Sequence, residues 1–340
     1  MVSIAGLFVL YSASDGNERL VINQAIRLLV GFAGLVIIAL LPPRLFRHWS
    51  FWLYALGIVL LLATAMFGEG RGSDRWLDLS VVRFQPSELM KLVVPMTVAA
   101  WLHNKLLPPD WKEVFIAVVI IVVPMLLIVR QPDLGTALLV GMSGAFVLFL
   151  AGLRWRVILS LIGLVAAAAP IMWMFMHEYQ RNRVRTFINP EADPLGQGWN
   201  IIQSKIAVGS GGLSGKGWMQ GTQSQLEFLP EHTTDFIMGV IAEEFGLLGV
   251  LLLLLAYLFI IGRSLYLASQ ARDTFSRLLC GSLAMIFFVY VMVNGGMITG
   301  ILPVVGVPLP LISYGGTSIV TLLAGFGLIM SAWGHRRFIR

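Results

Sequence analysis

The chain has 340 residues, 24 basic and 18 acidic, for a formal charge of +6. Only 12% of residues are charged and 57% are hydrophobic, whereas a soluble domain carries roughly 25% charged residues. That leaves too little polar surface for a water-soluble globule, and excludes a soluble enzyme, a disordered chain and a disulfide-stapled secreted domain.

A polytopic helical membrane protein remains. A spanning helix needs about 20 mostly apolar residues. Ten runs are candidates, at roughly 1–13, 20–41, 51–67, 85–103, 114–130, 134–152, 157–176, 236–262, 278–298 and 317–334. Barrel strands would alternate apolar with polar residues, but stretches such as Val250–Ile261 are continuously apolar. The whole chain, 1–340, reads as one membrane domain, with one large loop, 177–235, inside it. The first run is short and lacks the basic start of a signal peptide. Either the chain starts late or this helix leans on its neighbours. The single Cys280 permits no intramolecular disulfide.

Charge sorts the loops into two faces. The loops after spans two, four, six and eight, with the C-terminal tail, hold 12 basic and 3 acidic residues, a net of +9. The remainder holds 12 basic and 15 acidic, a net of −3. Basic loops stay on the cytoplasmic side, so both termini are expected there. The basic excess therefore points to anionic lipid headgroups and not to nucleic acid.

The first polar motif is Arg83-Phe84-Gln85-Pro86-Ser87-Glu88-Leu89-Met90-Lys91, where span four opens. Pro86 suits a first helical turn. Glu88 and Lys91 are spaced i, i+3, which suits an internal pair; Lys91, set deeper, is the better candidate for holding an anion. Next, Arg130-Gln131-Pro132-Asp133-Leu134-Gly135-Thr136 makes a tight turn between spans five and six. Asp133 is an N-cap there, or it meets Lys91 across the bundle.

The long loop, 177–235, carries Trp199, Ile202 and Ile206 at helical spacing. They suit a short helix on the membrane surface, or ordinary packing onto the bundle. The glycine-rich run 209–217 fails the Walker pattern, because Ser210 and Gly217 stand where glycine and Ser/Thr are required. The loop closes with Pro230-Glu231-His232-Thr233-Thr234-Asp235-Phe236. Thr233 or Thr234 suits an N-cap, which would put Asp235 in the first turn of span eight, stabilised by the helix dipole. That purely structural role stands beside a chemical one. Partial burial on a rigid helix end would tune Asp235 as a general base; a helical turn would bring Glu231 near it, but Glu231 reads as loop. Two turns on, Glu243 and Glu244 suit a salt bridge inside the protein. Gly300 to Ser318, rich in proline and glycine, reads as a re-entrant outer loop. Gly295-Gly296 suits close helix packing. The five histidines show no metal-ligand spacing.

Together these motifs resemble the SEDS family (shape, elongation, division and sporulation). The resemblance rests on the ten spans, the loop after span seven, the 131–136 and 230–236 motifs, and Pro310-Leu311-Ile312-Ser313-Tyr314-Gly315-Gly316. Gly217 through Pro230 and the ending Gly325-Phe326-Gly327 with His335-Arg336-Arg337 resemble its RodA branch. The resemblance implies a peptidoglycan glycosyltransferase of the bacterial cytoplasmic (inner) membrane. Its substrate would be lipid II, a disaccharide-pentapeptide on undecaprenyl pyrophosphate. The family's essential loop aspartate falls on Asp235. Its polar cavity residues fall on Arg83, Glu88, Lys91 and Asp133. Lys91, Arg83 and Arg75 are candidate anion contacts for the departing pyrophosphate. Glu231 joins them as a substrate-side carboxylate. His232 is displaced by one position from the family pattern and receives no catalytic role.

The resemblance implies no certain cofactor; a divalent cation, Mg or Mn, is left open at the pyrophosphate. Implied partners are a class B penicillin-binding transpeptidase, other elongation-complex membrane proteins and membrane lipids. A lipid II flippase and a non-catalytic scaffold are the rival roles.

Overall fold

The computed structural model describes residues 1–67, 76–78, 83–176, 178–189, 197–225 and 231–335. The described chain is almost wholly helical. Ten of its helices fall on the ten expected spans. These are α1 (Val2–Ala13), α2 (Glu18–Leu40), α3 (Pro43–Phe67), α4 (Pro86–Leu102), α5 (Trp111–Arg130), α6 (Leu134–Leu150) and α7 (Trp155–Phe175), then α11 (Ile237–Ser269), α12 (Thr274–Ile298) and α13 (Thr317–Gly334). Inside the long loop lie α8 (Glu178–Ile188), α9 (Gln197–Ser210) and α10 (Thr222–Gln225). A two-residue hairpin pairs β1 (Leu77–Asp78) with β2 (Arg83–Phe84), antiparallel, Leu77 opposite Phe84.

Six described helices, α2, α3, α5, α11, α12 and α13, are long and apolar enough to cross a membrane; α1 and α6 are shorter apolar helices. Their outward faces are apolar as well. On α11, Leu252, Leu255 and Phe259 are 69%, 60% and 74% exposed. Water would penalise such a stripe, and hydrocarbon does not. The molecule is a multi-pass helical membrane protein.

The chain forms two compact units. One comprises Ala25–Gly152, Leu258–Val289 and Gly315–Arg340. Its centre is α4, packed by α3, α5, α6 and α13. Met90, Val94 and Val98 on α4 are fully buried. The helix starts as its sequence requires, with Pro86 in the first turn, where no intrahelical N–H is needed. Asp133 caps α6, accepting the Thr136 amide at 3.1 Å.

The other unit comprises Met1–Gln24, Leu153–Tyr257 and Tyr290–Tyr314. Here α11 is interrupted at Gly246 (φ 64°, ψ −163°), a conformation open essentially to glycine alone. The break strands backbone groups, and the glycine-rich loop takes them up. Lys216 and Gly217 amides donate to the Glu243 and Glu244 carbonyls at 3.0 Å each. Leu247 and Leu248 amides donate back to Gly212 and Leu213 at 3.0 and 3.1 Å. Glycine is needed here for contact between backbones, not for phosphate. Glu243 is bridged by Lys216 at 2.6 Å, as an internal salt bridge requires. The Ser12 hydroxyl donates to Glu244 Oε1, and the Trp218 indole donates to the Phe8 carbonyl at 3.3 Å. The short α1 thus leans on the long loop.

On α9 the buried stripe is Ile201, Ser204 and Ala207. Trp199 and Ile202 are half-buried, and Ile206 is exposed. The 199–202–206 stripe is therefore not the packing face of this helix.

Candidate functional site

Asp235 lies in a run of turns, 231–236, ahead of α11. The helix opens at Ile237. Thr233 and Thr234 are therefore not its N-cap, and Asp235 is not in its first turn. The reason is local. Glu231 adopts φ 56°, and its carbonyl accepts the Thr234 and Phe236 amides at 3.0 and 3.3 Å. That closed turn consumes the chain before a helix can nucleate.

Outside partners hold the turn rigid. The Asn294 side-chain amide, on α12, donates to the Asp235 carbonyl at 2.9 Å and to the Val307 carbonyl at 2.8 Å. The Ser313 hydroxyl donates to the Thr234 carbonyl at 2.5 Å and accepts the Leu309 amide at 2.7 Å. The Tyr314 amide donates to the Thr233 carbonyl at 2.9 Å. Two further buried side chains anchor the same loop. Tyr257 donates to the Pro310 carbonyl at 2.6 Å, and Gln24 donates to the Ser313 carbonyl at 2.8 Å. The later part of the proline- and glycine-rich segment, 307–313, is thus a largely buried irregular stretch whose polar backbone finds protein partners, as irregular backbone away from water must.

The Asp235 side chain is half-buried. A Cβ placed on Gly306 would stand 3.4 Å from its Oδ2. Gly306 itself adopts φ 74°. One carboxylate oxygen therefore faces bare backbone, on a rigid turn close to the α11 N-terminus. Phe236 beside it is fully buried, while the Glu231 side chain is exposed. A half-solvated carboxylate of this kind can take a proton from a hydroxyl that reaches it.

The second cluster lies in the other unit, around the start of α4. Lys91 Nζ is 2.6 Å from Glu88 Oε1, and both side chains are buried. The Thr321 hydroxyl, on α13, donates to Glu88 Oε2 at 3.2 Å. Gln85 donates to Asp133 Oδ2 at 3.0 Å. Gln131 is buried and donates to the Leu61 carbonyl at 2.8 Å. The i, i+3 pair is formed as the spacing predicts. Asp133 is held by the α6 start and by Gln85, the residue just before α4. An anion that reaches Lys91 must share it with Glu88. Arg83 is placed by its backbone in β2. Arg75 lies outside the described residues. Among those described, no three His, Cys, Asp or Glu side chains gather as a metal site requires.

Sequence reasoning missed Asn294, Gln24 and Tyr257. The available signal was a buried polar group in an apolar helix, which must find a partner.

A family model described as Cell cycle protein (FtsW, RodA, SpoVE) matches residues 1–337. The chain belongs to this family. It is 53% identical over 333 residues to "Peptidoglycan glycosyltransferase MrdB" of Escherichia coli strain K12, covering 97% of this chain and 90% of that protein. The protein of the same name from Helicobacter pylori strain J99 is 36% identical, covering 95% and 85%. Among solved structures, a chain of a peptidoglycan synthase complex that coordinates polymerization and crosslinking matches at TM-score 0.85. It is 33% identical, covering 98% of this chain and 95% of that one. The Thermus thermophilus rod shape determining protein RodA matches at TM-score 0.74 and 29% identity, covering 98% and 94%.

Proposed function

We propose that this chain is a peptidoglycan glycosyltransferase that polymerises lipid II on the outer face of the bacterial cytoplasmic membrane. The activity is the one named for relatives 53% and 36% identical along nearly the whole chain. The observation that carries the chemistry is Asp235, a half-buried carboxylate on a turn fixed by Asn294 and Ser313.

In the reaction, a sugar hydroxyl of one lipid-linked unit attacks the anomeric carbon of another. The new C–O bond forms as the bond to undecaprenyl pyrophosphate breaks, and its electrons leave with the pyrophosphate. Asp235 takes the hydroxyl proton. Its rigid mounting keeps the carboxylate from following the substrate and helps hold reacting atoms in register. Lys91, Arg83 and Arg75 are assigned to the pyrophosphate charge. Glu88 keeps Lys91 oriented while its site is empty, and Asp133 fixes the adjoining turn. Glu231 sets the turn through its carbonyl and offers its exposed carboxylate to the substrate.

The whole chain acts as one membrane domain in the inner membrane, with both termini in the cytoplasm. Its partners are a class B penicillin-binding transpeptidase, other membrane proteins of the elongation machinery and the surrounding lipids. Through them it supports rod shape and cell elongation.

The test is purified protein with lipid II alone and a gel readout of glycan strands. Asp235→Asn keeps the shape and removes the base. The expected loss is about 10²–10⁴-fold, with the thermal unfolding midpoint unchanged. Near-normal strand length and rate in that variant would remove Asp235 from the mechanism.

A further inference from the structure

A basic cavity lies at the far end of α4 from Glu88 and Lys91. It forms where the start of α3, the end of α4 and the start of α12 meet, all within one unit. Two adjoining spaces of about 320 and about 460 Å³ share Arg44, Arg47 and His103 in their walls. Each volume is within the range that holds small ligands. Glu88 and His103 are 15 residues apart, about 22 Å along a helix. The cavity is therefore separate from the Lys91 cluster.

Its charge is unbalanced. Among the described residues, neither Arg44 nor Arg47 forms an ion pair. His48 adds a titratable nitrogen on the same face. The facing acid is Asp273, and its carboxylate is engaged as a cap, accepting the Ser276 amide at 3.0 Å.

The cavity also holds an orphan donor. The Arg47 guanidinium bonds His103 Nε2. A guanidinium can only donate, so Nε2 accepts and Nδ1 carries the hydrogen. That Nδ1 is buried and has no partner. A buried donor without an acceptor is costly, and it adds to the unmet hydrogen-bonding demand in the wall of this cavity.

Depth points to the ligand. Trp49 and Trp52, in the same turns of α3, are 52% and 70% exposed, and Trp111, at the start of α5, is 66% exposed. Lys105 Nζ sits 5.1 Å from the Trp101 ring centroid. Exposed tryptophans with basic neighbours mark the headgroup level of a bilayer. The cavity opens where lipid phosphates lie. Basic pockets between spanning helices take anionic headgroups, and paired guanidinium groups match phosphate oxygens.

We infer that this cavity binds the phosphate of an anionic phospholipid, held by Arg44 and Arg47. The assignment is independent of the role given to Asp235.

The experiment uses the full chain in detergent and native mass spectrometry, with phosphatidylglycerol and phosphatidylcholine at equal excess. Phosphatidylglycerol is expected to stay bound at activation energies that strip phosphatidylcholine. Arg44→Gln with Arg47→Gln should weaken its retention about tenfold or more. Equal retention by the variant would overturn the assignment. Inorganic phosphate is the second probe. If it displaces phosphatidylglycerol, the site serves free phosphate and the lipid assignment falls. A photo-crosslinkable phosphatidylglycerol on the unaltered chain needs no variant. Crosslinks in residues 43–51 and 100–104 support the site, and crosslinks found only elsewhere overturn it.

Discussion

Asn294 donates twice from one side-chain amide, and both acceptors are backbone carbonyls in irregular chain. Removing it leaves the Asp235 and Val307 carbonyls without that donor. A buried unpaired carbonyl costs about 1–3 kcal/mol. Asn294→Ala should therefore lower the unfolding midpoint and cut polymerisation from lipid II at least tenfold. Strand synthesis and thermal unfolding, measured on one preparation, check this. A wild-type rate at a lowered midpoint would show that the amide is only structural. Gly306 makes a second case. At φ 74° an alanine there costs roughly 1–2 kcal/mol, and its methyl would meet the Asp235 carboxylate. Gly306→Ala is expected to raise KM or lower kcat with a midpoint shift no larger than that strain implies. The place of Asp235 at a span boundary was legible in the sequence, where acid, threonine and proline cluster. Asn294 was not, because one amide among apolar residues announces a need for a partner without naming it.

At the scale of elements, the spans were legible because most are runs of apolar residues near the length that a bilayer requires. The caps were legible where chemistry is local. Pro86 opens α4 and Asp133 caps α6. The turn before α11 was misread, since Thr233 and Thr234 have cap chemistry but the 231–236 turn closes on the Glu231 carbonyl and is held by distant partners. The break at Gly246 was hidden for a similar reason. Glycine is common in spanning helices, and only the approach of the 211–217 loop makes this one obligatory. The i, i+3 pair in α4 gives a quantitative test. Breaking a buried ion pair from one side costs about 3–5 kcal/mol. Lys91→Met alone should therefore destabilise more than Lys91→Met with Glu88→Leu. A double-mutant cycle by denaturant unfolding measures this. Additive losses would mean that the 2.6 Å contact carries no coupling.

For the whole molecule, scarcity of charge established the membrane, and the placement of the few charges predicts the orientation. The loops after even-numbered spans carry the net of +9, and the rest of the chain carries −3. An excess of basic residues in short loops holds those loops in the cytoplasm. On this prediction the turn at Asp235 lies on the outer side, where a lipid-linked sugar would meet it. The cavity at Arg44 and Arg47 would then face the cytoplasmic leaflet, which carries the negative surface potential. The native thiol leaves a clean background, because Cys280 is buried in α12. Two exposed positions report the two faces. Ser214 lies in the long loop, and Leu106, 90% exposed, lies between α4 and α5. In intact cells, a membrane-impermeant maleimide should label Ser214→Cys and spare Leu106→Cys. After permeabilisation it should label both. Labelling of Leu106→Cys alone in intact cells would invert the molecule. Asp235 would then face the cytoplasm, and the outer-face reaction would have to be abandoned.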